Sequence, residues 1–111
     1  MSTYIAPVRE MMFAMNELAG LEEICSLPGN EEVSGDLVEA ILDEAGKFAT
    51  EVLAPINASG DRQGNKWADG VVTSAEGFKE AYASFCETGW NGMPASTEFG
   101  GQGLPVTVST A

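Results

Sequence analysis

A chain of 111 residues has room for one domain or part of one, and it is 44% hydrophobic and 20% charged. Without low-complexity tracts, that balance suits a small packed core and excludes a disordered chain. Five Lys and Arg against seventeen Asp and Glu leave a net charge of −12, which repels nucleic-acid phosphates, and the lack of any histidine removes a required part from Ser-His-Asp, Cys-His and zinc hydrolase chemistry.

The first predicted element is a short helix entered at Pro7, where a missing N–H costs nothing. Val8, Met11, Met12, Met15 and Leu18 recur at helical spacing, and Gly20 can end the run. Leu21, Ile24 and Leu27 add a turn before Pro28 and Gly29 break it. A second helix follows, capped by Ser34 or Asp36. Its stripe is Leu37, Ile41, Ala45, Phe48, Val52 and Leu53, widened by Val38 and Leu42, and Pro55 is expected to stop it. Asn57 to Ser74 reads as a loop with Asp69-Gly70 at the apex of a small turn. Thr73 and Glu76 have the spacing of a capping box for a third helix whose buried face is Phe78, Ala81, Tyr82 and Phe85. Gly89 suits a left-handed cap. The fold class expected is all-α: a small helical bundle without a convincing sheet.

Each motif that could carry chemistry falls short of it. "GGQGLP" places Gly101 and Gly103 as the first pair of a dinucleotide fingerprint, but Val106 stands where the third glycine belongs, no strand precedes, and no P-loop lysine follows. The plainer reading is that Gly100 and Gly101 supply positive-φ turns and that Leu104-Pro105 enters a helix. Asp61, Gln63 and Asn65 alternate like the opening of an EF-hand loop, yet Lys66 replaces its glycine and Val72 its bidentate glutamate. A phosphopantetheine serine would open a helix, whereas Ser26 precedes Leu27-Pro28 and a break. The adjacent pairs Glu22-Glu23, Glu31-Glu32 and Asp43-Glu44 do not face each other on a helix and read as solvated surface. Cys25 and Cys86 fit no metal spacing and are expected as buried, reduced thiols. No metal ligand set and no catalytic constellation emerges from the residues.

A secretory signal is not evident, since Arg9 and Glu10 interrupt the first segment, so the Asn57 sequon carries no weight and the cytoplasm is the expected location. No run approaches the roughly 20 apolar residues of a membrane span.

Several short strings, taken in order, resemble the acyl-CoA dehydrogenases. "TYIAPVREMMFAMNEL" is similar to the start of the N-terminal extension in a large bacterial branch of that family, with Tyr4, Ala6, Pro7, Glu10 and Phe13 matching. "FATEVLAPINASGDRQG" and "GFKEAYASFCETGWNGMPASTEFGGQGLP" resemble the branch's helix-to-Gly-Asp segment and its Gly-Gly-x-Gly-Leu-Pro turn. The resemblance implies an extension with a short helix over residues 1–30 and a partial N-terminal helical domain over 31–111, in an enzyme several times longer. Such an enzyme removes an α-proton and a β-hydride from an acyl-CoA thioester, passes the hydride to FAD, and hands electrons to an acceptor. Its general base and most flavin contacts lie in later domains. The resemblance therefore implies no catalytic and no FAD-binding residue in this chain, and a supporting place near the acyl and flavin cleft for Gly100, Gly101 and Gly103. The large side chains Phe48, Trp67, Phe78, Tyr82, Phe85 and Trp90 are many for three short helices, and self-association of the separate chain is expected. The rival reading is a self-contained acidic helical module that binds a protein partner through an apolar groove.

Overall fold

The computed structural model describes residues 3–111. Helix α1 (Val8–Phe13) opens directly after Pro7 and runs into a π turn over Ala14–Leu18, which closes with the Ala19 N–H on the Ala14 carbonyl. The extra residue in that wider turn rotates Leu18 off the apolar stripe. Met15 is buried, but Leu18 is 81% exposed, against the sequence expectation. Gly20, left-handed, ends the run, and α2 (Leu21–Cys25) follows with Leu21 in the core.

Helix α3 (Gly35–Phe48) begins where expected. The Ser34 hydroxyl accepts from the Leu37 N–H, satisfying one of the orphan donors of the first turn. The buried centre of its stripe is Val38 and Leu42, while Leu37 is 39% exposed, so the residues read as the stripe's margin are its middle. Pro55 does not stop the helix. A π turn over Ala49–Leu53 bonds the Ala54 N–H to the Ala49 carbonyl, and α4 (Ala54–Gln63) starts with Pro55 at a position that needs no donor. The first part of the expected loop, residues 57–63, is therefore helix.

The rest of that segment is a hairpin. Strands β1 (Lys66–Ala68) and β2 (Val71–Thr73) pair antiparallel, with Trp67 opposite Val72. Asp69 and Gly70 at the apex both have positive φ, 51° and 77°, the requirement of a two-residue primed turn. The fold is mostly helical, as expected, and this two-stranded sheet is a small addition to it. Because Thr73 is in β2, it cannot cap a helix. Helix α5 (Phe78–Glu87) starts after a left-handed Gly77, and the Glu76 N–H is met by the Gln63 side chain. Ala81 is buried and Phe85 half-buried, but Phe78 and Tyr82 are 38% and 66% exposed. The α5 face is thus covered only at its middle. Where α4 passes the start of α5, a Cβ on Gly60 would overlap the Phe78 ring.

Two 3-10 turns, Trp90–Gly92 and Thr97–Phe99, lead to α6 (Val106–Thr110), which Pro105 introduces as expected. The core joins distant parts of the chain: Met15, Leu21, Val38, Leu42, Met93 and Val108, flanked by Met11, Ile41, Trp90 and Leu104. It is thin. The molecule measures 52 × 36 × 19 Å with a radius of gyration of 16.8 Å, against about 13 Å for a compact chain of this length.

Candidate functional site

The candidate site is the glycine turn between Gly89 and Pro105. Left-handed Gly89 (φ 83°) ends α5 and turns the chain into the Trp90 segment, as expected. The following stretch, Gly92 to Ser96, serves as a template for the next. The Gln102 N–H bonds to the Gly92 carbonyl at 3.0 Å, Leu104 to Met93 at 2.9 Å, and Gly103 to Ala95 at 2.8 Å. The Gly101 N–H bonds to Ser96 at 3.0 Å, and the Gln102 side chain reaches back to the Gly89 carbonyl at 3.0 Å. The glycine turn is therefore held by four backbone hydrogen bonds and one from the Gln102 side chain, and is not an open loop.

Each of the three glycines named from the sequence has a reason, but not always the expected one. Gly100 has φ 84° and Gly103 has φ 62°, where a side chain is strained. Gly101 is not in that region, which corrects the expectation of a positive-φ residue there. It lies so close to Ala95 that a Cβ would run into the Ala95 carbonyl and side chain. Its requirement is close approach, a signal that spacing in sequence does not carry.

Around the turn, aromatic rings form a ladder between α3 and α5. Phe48 lies 6.1 Å from Phe85 and 6.4 Å from Trp90, and Tyr82 stacks on Phe85 at 6.4 Å. Hydrogen bonding to the Cys86 side chain holds the Tyr82 phenol above its ordinary value. Asn91 also donates to Cys86 sulfur at 3.6 Å. Both cysteines are free and half-buried, less enclosed than expected. This ladder combines residues read in separate helices, and only the fold brings them together.

Two grooves open elsewhere. One of about 550 Å³ follows β2 into α5 and is lined by Val72, Thr73, Glu76, Lys79 and Glu80. The other, about 510 Å³, lies between α1 and α6 and is mostly apolar, with Met11, Met15 and Val106 on its walls. Among the described residues no three His, Cys, Asp or Glu side chains gather to hold a metal, and no helix is long and apolar enough to cross a membrane. The carboxylates lie on the surface. Glu31 is held below its ordinary value by the Gly29 N–H, which donates to it at 3.0 Å, and Glu44 pairs with Lys47.

No family model matches the chain. Two curated proteins do. A 3-methylmercaptopropionyl-CoA dehydrogenase of Ruegeria pomeroyi is 38% identical over 109 residues, 98% of this chain. A butyryl-CoA dehydrogenase of Syntrophomonas wolfei is 32% identical over 90 residues, 78% of the chain. The chain is a relative of the acyl-CoA dehydrogenases. It spans 18% of the length of the first relative and 15% of the second. The glycine turn and the aromatic ladder are thus features of an acyl-CoA dehydrogenase-like segment that is mostly helical.

Proposed function

We propose that this chain is the N-terminal helical part of an FAD-dependent acyl-CoA dehydrogenase. Residues 1–30 are its extension and 31–111 the opening of its helical domain. Its role is to support one wall of the cleft that holds the acyl chain and flavin, with Gly100, Gly101 and Gly103 fixing the turn nearest to it. The base that takes the α-proton and the residues that grip the flavin belong to the rest of that enzyme, and the chain alone is inactive.

The observation that carries this reading is the unfinished surface. The accessible area is 8069 Å², about 2,200 Å² more than the ~5,800 Å² typical of a folded monomer of this mass. That excess matches what a large, permanent contact removes from water. Ile5, Phe13, Leu18, Phe99 and Val106 are each more than half exposed, as suits groups destined for burial against further domains.

The residues present do not fit a flavin held by this chain alone. A dinucleotide pyrophosphate calls for converging N–H donors or cations. Arg9, Lys47, Arg62, Lys66 and Lys79 are all exposed and do not converge on either groove. The glycine turn has spent the N–H groups of residues 101–104 on its own template. The chain's contribution is therefore shape: an aromatic-backed, rigid turn.

The test is to read the coding sequence past Ala111 and purify the complete product. A frame that continues through strand-rich and then helical stretches, giving a protein that releases FAD on denaturation, supports the reading. A stop codon after Ala111, with a colourless folded product, overturns it in favour of the protein-binding module.

A further inference from the structure

We propose that the open edge of β2 is a self-pairing surface: two copies of this chain join their hairpins antiparallel across a two-fold axis at Val72, forming a four-stranded sheet. This goes beyond the dehydrogenase reading and does not depend on it.

The argument begins with hairpin geometry. In a two-residue hairpin the residues flanking the turn, Ala68 and Val71, form a hydrogen-bonded pair, so Trp67 and Val72 form the next, non-hydrogen-bonded pair. The N–H and C=O of Val72 accordingly point away from β1, off the free edge. A second copy related by a two-fold axis there places Val72 opposite Val72, and the two residues exchange both of their N–H to O=C bonds. The strand is its own complement.

Edge strands are normally guarded by charge, proline or a bulge. The β1 edge begins with Lys66, but Val71-Val72-Thr73-Ser74 carries none of these guards. Val71 and Val72 are 63% and 65% exposed and Trp67 is 72% exposed, so the hairpin has apolar side chains on both faces that the described residues leave mostly uncovered.

Charge selects the occupant. The chain carries −12, and copies meeting through most of its surface repel each other. Residues 62–80 are the exception. Arg62, Lys66 and Lys79 stand against Asp69, Glu76 and Glu80, so this stretch is neutral and holds three of the five cations. Two copies meet here with less like-charge repulsion than elsewhere on the surface, and the groove beside β2, with Glu76, Lys79 and Glu80 on its wall, offers both signs at the rim. A basic partner would instead be drawn to the acidic remainder.

The contact is smaller than a standard stable interface, which places self-association at about 0.1–1 mM. Higher salt tightens it by screening the surrounding negative charge. Sedimentation equilibrium of the chain, at loadings up to roughly 1 mM and at low and high salt, reads the constant. Amide exchange at Val72 reads the site. The expected result is a monomer–dimer equilibrium that strengthens with salt, with the Val72 amide increasingly protected as concentration rises.

Val72→Pro leaves the hairpin's own hydrogen bonds intact and removes the edge donor, and Val72→Lys restores an edge charge. Both are expected to weaken dimerisation by about tenfold or more. Leu18→Lys, on the far more exposed but unrelated surface, is expected to leave it unchanged. A chain that stays monomeric at both salts, a Val72 amide indifferent to concentration, or a Leu18→Lys variant weakened as much as the Val72 variants overturns the proposal.

Discussion

Replacing Gly101 with alanine tests the glycine turn at its tightest point. The added Cβ meets the carbonyl and Cβ of Ala95, and both belong to a segment that cannot rotate aside. Ala95 is held by its N–H bond to Gly92 at 3.2 Å and by the Gly103 N–H on its carbonyl at 2.8 Å. Relief requires the two strands of the turn to part, which costs the Gly103–Ala95 bond and weakens the bonds of Gln102 and Leu104 beside it. At about 1 kcal/mol net for each lost hydrogen bond, and an overpacking cost of about 1–3 kcal/mol, Gly101→Ala destabilises by about 2–4 kcal/mol. Gly100→Ala is the comparison. Nothing lies within 4 Å of its Cβ, so only the left-handed backbone at φ 84° is penalised, about 1–2 kcal/mol. Urea unfolding followed by tryptophan fluorescence suits the pair, because Trp90 packs against the core beside this turn. The midpoint is expected to fall further for Gly101→Ala. Equal midpoints, or a larger loss for Gly100→Ala, would refute the claim that close approach rather than backbone sign fixes residue 101.

Three further outcomes follow from the same structure. Val38, with no exposed surface, loses about 2–3 kcal/mol on Val38→Ala from lost transfer energy and the cavity left behind; in the same urea assay Leu37→Ala, at the exposed margin, should lose clearly less. Ser34→Ala removes the cap on Leu37 and is expected to cost about 1 kcal/mol, with a drop in helical circular dichroism on mild heating that Ser34→Asp does not show. Glu31 is favoured as carboxylate in the folded chain by the Gly29 N–H. Its contribution is present above the ordinary glutamate value and disappears as pH falls through the lower folded value. Carbon-detected NMR should place its titration below the ordinary glutamate value, and a Glu31 signal titrating at or above that value would contradict the hydrogen bond.

How far the fold could be read from sequence depended on whether the deciding contacts were local. Ser34, Gly20, Gly89 and the Asp69-Gly70 apex act within a few residues, and each stands where the sequence placed it. Pro55 misled because its usual effect assumes the α-helical bonding pattern, and the π turn before it removes the need for its N–H. The same kind of turn moved Leu18 out of the core. Thr73 and Glu76 had the right spacing for a cap, but cross-strand pairing with Lys66 claimed Thr73 first. At the candidate site the glycines were visible and the reason for Gly101 was not, since Ala95 comes close only after the chain folds back. Phe78 and Tyr82 look like core in a helical wheel; only the folded surface shows that the described residues leave them 38% and 66% exposed.

The central claim, that this wall belongs to a flavin-dependent acyl-CoA dehydrogenase, is tested most directly by mixing the complete gene product with saturated acyl-CoA thioesters without oxygen. The long-wavelength flavin absorption is expected to bleach as the hydride arrives, with enoyl-CoA formed in equal amount. A flavin band that stays unchanged across short, sulfur-containing and longer acyl chains, or a product that carries no flavin, would contradict it.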